Sequence, residues 1–313
     1  MQLIEPSFEI IEQSAGLEGV YKQIEKAGRV SHKSEDRITE NSAPKFVERM
    51  VKSGHGATLE FGTVYLKVPK YKIYRDGAFQ LNEPAPYTRN LYYKIHWNND
   101  YLYITTNYRY IIENKLEHWL QFLCEPTEYH EKRICVKFIC DRAIANEFVR
   151  HRKFSFLQES TRYCNYSKDK FNNELTFIQP CWADESQLNK VKGTIISKDD
   201  FGSLICEYYY HLSGKQEDWF KPWSITPERN FIASLQIAEQ LYLELLNQGC
   251  KPQEARDVLP LALKTELYMC GFTEDWKYFF DLRCNKAAHP QARELAIPLR
   301  EEFVKRGYIK DNN

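Results

Sequence analysis

The sequence predicts an α+β fold: an antiparallel sheet flanked by helices, with an inserted Tyr-rich subdomain. Three observations predict it. Residues 61–68 and 134–139 are short, β-branched and alternating, as half-buried strands are. "TPER" at 226–229 opens a long amphipathic stretch, with Thr226 as the cap, Pro227 in the first turn and Glu228 favourable at the positive end of the helix. Residues 70–132 break the composition, being rich in Tyr, Asn and Lys. The expected division is therefore 1–69 as the N-terminal part of a catalytic domain, 70–132 as the insertion, and 133–313 as the remainder.

Taken in order, residues 16–27 read as a helix followed by the loop Gly28-Arg29-Val30-Ser31. Ser42 is expected to cap a second helix, with Phe46, Met50 and Val51 on one face, that stops at Gly54. Residues 61–68 form a strand. Within the insertion, "YLYITT" at 101–106 reads as a strand and 115–124 as helical. After the strand at 134–139, Asp141 caps a helix that runs through Ala143, Ile144 and Phe148 to the triplet Arg150-His151-Arg152. Residues 172–180 are loop and short strand, and 201–212 helix. The stretch after Thr226 presents Phe231, Leu235, Ala238, Leu241 and Leu245 on one face and stops at Gly249. Two or three further helices are expected over 252–306.

Composition excludes several classes. Lys plus Arg and Asp plus Glu both number 43, so no global charge draws the chain to nucleic acid or anionic lipid, and an anion site must be a local cluster. No basic region followed by an apolar core opens the sequence, and no run has the length of a membrane span. Nine cysteines without a CxxC pair suit reduced thiols in a cytoplasmic setting, with Cys135 and Cys140 buried on a strand. The His and Cys spacing offers no metal site.

The local cluster is "RHRKFSFLQESTRY" at 150–163. Cations at a helix end are common in their own right, gaining roughly 0.3–1 kcal/mol from the macrodipole. Phe154, Phe156 and Leu157, however, set these cations beside a semi-buried surface, and Ser160-Thr161-Arg162 adds hydroxyls and a further guanidinium. Forked Arg donors, hydroxyls and backbone N–H groups hold phosphates and planar carbonyls, and the aromatics offer a face to a flat ring. The parts suit a phosphorylated, ring-bearing ligand such as a nucleotide or a flavin. Ser160 is a poor nucleophile, because its only nearby base, His151, stands between two cations and no GxSxG elbow is present.

Arg150, His151, Arg152, Ser155, Ser160 and Arg162 reproduce RHRxxSxxxxSxR, which resembles the signature of flavin-dependent thymidylate synthases. "GRVSHKS" (28–34), "GHGATLEFGTVYLKV" (54–68), "EARDVLPLALKTEL" (254–267) and "FFDLRCNKAAHPQARELA" (279–296) are similar to further segments of that family. The resemblance implies an α+β homotetramer with sites between subunits, making dTMP from dUMP with FAD, methylenetetrahydrofolate and NADPH. It implies flavin contacts at Ser31, His55, Glu60, Arg150, His151 and Arg152. It implies dUMP contacts at Glu147, Arg150, Gln158, Glu159, Ser160, Thr161, Arg162 and Arg256. Arg283 takes the position of the arginine that meets the uracil and favours ionisation at N3, a role a permanently charged guanidinium fits.

The chain departs from the family where Asn-Glu becomes Leu157-Gln158, where an Asn-x-Arg flavin contact falls on Phe272-Thr273-Glu274, where a nearby Asn becomes Tyr278, and where a strand histidine becomes Phe61. Stacking on Phe272 or Tyr278 is expected to replace hydrogen bonds to the flavin there. Two other readings stay open: a single-strand nucleic-acid binder using this cluster and the Tyr-rich segment, which the neutral composition disfavours, and a flavin reductase without methyl transfer.

Overall fold

The computed structural model describes residues 1–72, 92–186, 188 and 226–310. The expected helix at 201–212 and residues 73–91 of the Tyr-rich stretch fall outside these residues. Contacts divide the chain into two units, Met1–Ile4 with Tyr166–Pro260 and Glu5–Asn165 with Leu261–Asn313.

In the larger unit, strands β2 (Ser7–Ile11), β6 (Arg133–Asp141), β7 (Ser155–Gln158) and β9 (Lys264–Phe272) form a four-stranded antiparallel sheet in the order β2-β6-β9-β7. Strand alternation sends Ile134, Val136, Phe138, Leu267 and Met269 to one face. There they meet helices α5 (Arg142–Phe148), α8 (Thr273–Arg283) and α9 (Pro290–Lys305) through Phe148, Trp276, Phe279, Leu299 and Phe303. Cys135, Tyr268 and Cys270 go to the other face, against Ala27 and Val30 at the end of helix α1 (Gly16–Gly28) and against Phe61. With both faces covered, β9 is buried at every position after Lys264.

A second antiparallel sheet has the order β3-β5-β4, built from β3 (Thr63–Pro69), β4 (Lys94–Trp97) and β5 (Tyr101–Asn107). Its apolar face, Val64, Leu66, Val68, Leu102 and Ile104, packs with α1 and α2 (Ala43–Lys52) through Val20, Ile24, Phe46 and Val47. The described part of 70–132 thus supplies two strands to the sheet that β3 belongs to. Of its tyrosines, Tyr101 and Tyr103 lie on the opposite face of that sheet, while Tyr108 is buried in the core with Val64 and Leu66.

In the smaller unit, β1 (Gln2–Ile4) pairs in parallel with β8 (Thr176–Ile178). Helix α6 (Pro227–Asn247) follows its cap, Thr226, whose hydroxyl accepts from the Arg229 amide at 3.2 Å. Its buried stripe runs through Ile232, Leu235, Ala238 and Tyr242, while Leu241, expected inside, is exposed. Gly249 follows at φ +95°, the left-handed turn for which glycine is chosen.

Several expectations are corrected. Residues 264–272 form the central β9, where helix was expected: a strand buried on both faces reads as an unbroken apolar run. The loop after the basic triplet contains β7. The helical patch at 115–124 is a 3₁₀ segment, Glu117–Phe122. Ser42 does not cap α2; its hydroxyl donates to the Glu25 carboxylate at 2.7 Å. Asp141 does cap α5, accepting from the Ile144 amide at 2.7 Å.

Candidate active site

The basic motif runs from the end of α5 into β7 and the loop beyond it, so one continuous segment crosses from a helix C-terminus to a sheet edge. Asp141 and the buried Phe148 fix the helix, and pairing of Ser155 with Cys270 through Gln158 with Leu267 fixes the strand. The loop after β7 is tied by the Glu159 amide donating to the Glu266 carbonyl at 2.9 Å and the Ser160 amide to the Ser31 carbonyl at 3.2 Å.

Three clusters result. In the first, the last residue of α8, Arg283, meets residues 132 and 136 positions upstream: its Nε donates to His151 Nε2 at 3.0 Å, and one Nη donates to the Glu147 carbonyl at 2.8 Å while the other ion-pairs with the Glu147 carboxylate. His151 is 7% exposed, with Phe279 edge-on at 5.0 Å. Burial, and then the charge of Arg283, bring its pKa down to about 4, so the imidazole is neutral and accepts at Nε2.

The second cluster surrounds Glu60. Its carboxylate accepts from the Ser155 hydroxyl at 2.5 Å and pairs with Arg109 at 2.7 Å. Arg133 bridges behind, donating to the Glu60 carbonyl at 2.8 Å and to the Ser155 hydroxyl at 3.1 Å. The first serine of the motif, Ser155, therefore faces inward, where its hydroxyl accepts from Arg133 and donates to Glu60.

The third cluster is a chain of alternating charge. Lys264 lies 2.8 Å from Glu159 and 3.0 Å from Glu266, and Glu266 lies 2.8 Å from Lys33. Burial acts to raise the Glu266 pKa, but Lys264 and Lys33 outweigh it and hold the carboxyl at about 2. Beside it, Gln158 Nε2 donates to the Thr265 hydroxyl at 3.2 Å.

The structure brings Glu147, His151 and Arg283 together, and Glu60 with Ser155. Arg150, Arg152 and Arg162 are exposed. Among the described residues the side chains of Arg150 and Arg152 have no ion pair, while Arg162 lies 5.2 Å from the Tyr163 ring. Ser160 Oγ accepts from the Arg162 amide at 3.3 Å, Thr161 is buried, and Glu159 is 1% exposed. Ser31 Oγ contacts His32 Nδ1 at 2.9 Å, and His55 is exposed with Nδ1 2.6 Å from Ser53 Oγ. Phe272 is 2% exposed, its ring flanked by Lys94 and Arg133. Glu274 pairs with Lys94 at 3.0 Å, and Tyr278 is 56% exposed. Arg256, in the smaller unit, lies 3.9 Å from Asp257.

Sequence reasoning missed Arg109, Arg133, Lys264, Lys33 and Glu266. Two carried a signal: Lys264 and Glu266 interrupt an apolar run, and charge inside a buried strand requires a partner. No metal-holding group of His, Cys, Asp and Glu occurs among the described residues. No helix among them is long and apolar enough to cross a membrane.

Fold and site define an α+β protein whose motif carries exposed guanidinium groups at Arg150, Arg152 and Arg162 and, at His151, an anchor for Arg283, parts suited to an anionic, ring-bearing ligand. Residues 105–306 match the model of the thymidylate synthase complementing protein family, and the chain belongs to that family. It is 31% identical over 164 residues to a flavin-dependent thymidylate synthase of Synechocystis sp., covering 52% of this chain and 62% of that one. It is 32% identical over 171 residues to the enzyme of the same name from Pyrococcus furiosus, covering 55% of this chain and 54% of that one. The matches thus span about half to three fifths of the curated relatives' length. Among solved structures, a UMP/dUMP methylase, PolB, from Streptomyces cacaoi bound with 5-Br dUMP aligns over 97% of this chain and 93% of its own at 17% identity, with a TM-score of 0.41, too loose a likeness to carry an argument.

Proposed function

We propose that this chain is a flavin-dependent thymidylate synthase that reductively methylates dUMP to dTMP, with methylenetetrahydrofolate as carbon donor, FAD as cofactor and NADPH as reductant. The observation that carries the reading is the seating of Arg283 on His151 of the signature segment and on Glu147 just before it, in a chain of this family.

The residues fit a flavin dinucleotide by the chemistry of their donors. Arg150 and Arg152 are exposed cations whose side chains are without ion pairs among the described residues, as a pyrophosphate requires. Ser31, His55 and Glu60 join them as flavin contacts on the family resemblance, although Glu60 reaches a ligand only through lone pairs that Arg109 and Ser155 leave open. Of the two aromatic residues expected to stack, Tyr278 is open and Phe272 is covered, which favours Tyr278. The flavin, when bound, supplies the hydride. Ser160, Thr161 and Arg162 hold the dUMP phosphate, with Gln158 as a further contact. Arg283 lies against the uracil, where its charge stabilises the ring as N3 loses its proton. A tetramer of this chain in the cytoplasm completes the reading, and its free thiols suit that compartment.

The test is tritium release from dUMP labelled at C5, in parent and Arg283→Ala. The parent is expected to be yellow, to bleach with NADPH under anaerobic conditions and to release tritium; Arg283→Ala is expected to lower release about a hundredfold or more. Parent protein that takes up no FAD, or a variant as active as the parent, overturns the reading.

A further inference from the structure

Arg283 is held on all three of its nitrogens. Its Nε meets His151 at 3.0 Å, and both Nη atoms meet Glu147, one at the carboxylate and one at the carbonyl, at 2.8 Å for the latter. A guanidinium fixed along two edges keeps one plane, and its side chain is only 17% exposed. The imidazole is held in turn by α8 itself: Phe279 stands edge-on at 5.0 Å and Tyr278 at 6.2 Å, four and five positions before Arg283 on the same helix. Phe154 closes a further side at 6.3 Å. The ring nitrogen facing Arg283 must accept a hydrogen bond, so the proton of the neutral imidazole sits on Nδ1.

We propose that His151 is a positioning residue which, as a neutral acceptor, fixes the guanidinium plane of Arg283 with Glu147 as the second anchor, its part in the site running through that arginine and not through the cofactor. The inference rests on the proposed function for Arg283's role at the uracil. A buried, cation-flanked imidazole resists protonation, and the low pKa of this histidine agrees with that geometry. A guanidinium left to rotate loses the alignment that makes it useful, and small misplacements of this kind are costly to turnover.

The experiment is a double-mutant cycle on the full chain with His151→Phe, Arg283→Ala and their combination, read as dUMP affinity by titration calorimetry, FAD affinity by quenching of flavin fluorescence, and tritium release. His151→Phe is expected to lower dUMP affinity and tritium release about tenfold or more with FAD affinity unchanged. Its effect on dUMP affinity is expected to vanish in the Arg283→Ala background. His151→Gln, whose amide oxygen can accept from Nε, is expected to restore most of the loss. A fall in FAD affinity, an undiminished effect in the Arg283→Ala background, or parent-like tritium release in His151→Phe overturns the proposal. If His151→Phe does not fold, His151→Asn takes its place: too short to reach Nε, it is expected to show the same loss and the same cancellation. A parent that binds dUMP yet releases no tritium counts against the proposed function alone, because the calorimetric cycle still reads the coupling of His151 to Arg283.

Discussion

Ser155 donates its hydroxyl to the Glu60 carboxylate at 2.5 Å, across 95 positions of sequence, and Arg133 donates to both residues. This contact joins the motif strand to the turn before β3. Ser155→Ala leaves a carboxylate oxygen and an Arg133 nitrogen short of a partner in a largely buried place, at a cost of about 1–3 kcal/mol. Urea unfolding of Ser155→Ala, Glu60→Gln and the double variant is expected to show a combined loss smaller than the sum of the single losses. Strict additivity would mean the two side chains do not cooperate.

Lys264 sits between two carboxylates, Glu159 and Glu266, that are 1% and 8% exposed. Removing it by Lys264→Ala leaves Glu159 buried without its 2.8 Å cation, and breaking such a pair costs about 3–5 kcal/mol. Lys33→Ala is expected to cost less, because Lys264 still faces Glu266. Denaturation midpoints of the two variants check the order.

Gly271 is present because Phe154 occupies the place of its side chain. A Cβ there would meet Phe154 Cδ1 at 2.4 Å. Gly271→Ala is expected to push the ring against Trp276, now 4.8 Å away centroid to centroid, at about 1–3 kcal/mol. Thermal unfolding reads the loss, and Phe154→Leu in the same chain is expected to recover part of it.

A buried group, His151, and a half-buried one, Glu294, pull the pH dependence of stability in opposite directions. His151 moves from its ordinary 6.5 down to about 4, so the unfolded chain takes up the proton first and stability falls as pH drops from about 6.5 toward 4. Glu294 moves from 4.5 up to about 7 through burial and then the nearby Asp141 and Glu5, and its Oε1 has no hydrogen-bond partner among the described residues. There the folded chain holds the proton longer, so stability falls as pH rises from about 4.5 toward 7. Each contributes a slope of up to ~1.4 kcal/mol per pH unit, and in the parent the two offset each other. Glu294→Gln is expected to expose the histidine's slope, and His151→Gln the glutamate's. Urea midpoints between pH 4.5 and 7 decide; variants that both parallel the parent would show that neither group titrates as stated.

Elements announced by local chemistry were legible in the sequence. The caps Asp141 and Thr226 and the alternation of β3 and β5 needed nothing beyond their neighbours. Ser42 looked like a cap of the same kind, but Glu25, 17 positions away, captures its hydroxyl. Strand β9 was hidden because burial on both faces erases alternation, and β7 because its four residues follow a helix end too closely to show a period. At the site, the motif was legible as a string of cations. That His151 faces Arg283 was not, since only the packing of α8 against α5 and the sheet brings them to 3.0 Å. Nor does a sequence reveal which serine turns inward: Ser155 and Ser160 look alike until the strand register assigns Ser155 to Cys270.

Strand β7 is an edge strand of its sheet and, among the described strands, pairs only with β9. The signature therefore hangs from a margin, and its residues can be exchanged without unzipping the rest of the sheet. It also means that a slip of two residues along β9 would carry Ser160 and Arg162 some 7 Å from their places while leaving the fold intact. The ion pair of Glu159 with Lys264 and the hydrogen bond from Gln158 to the Thr265 hydroxyl act as the catch against that slippage.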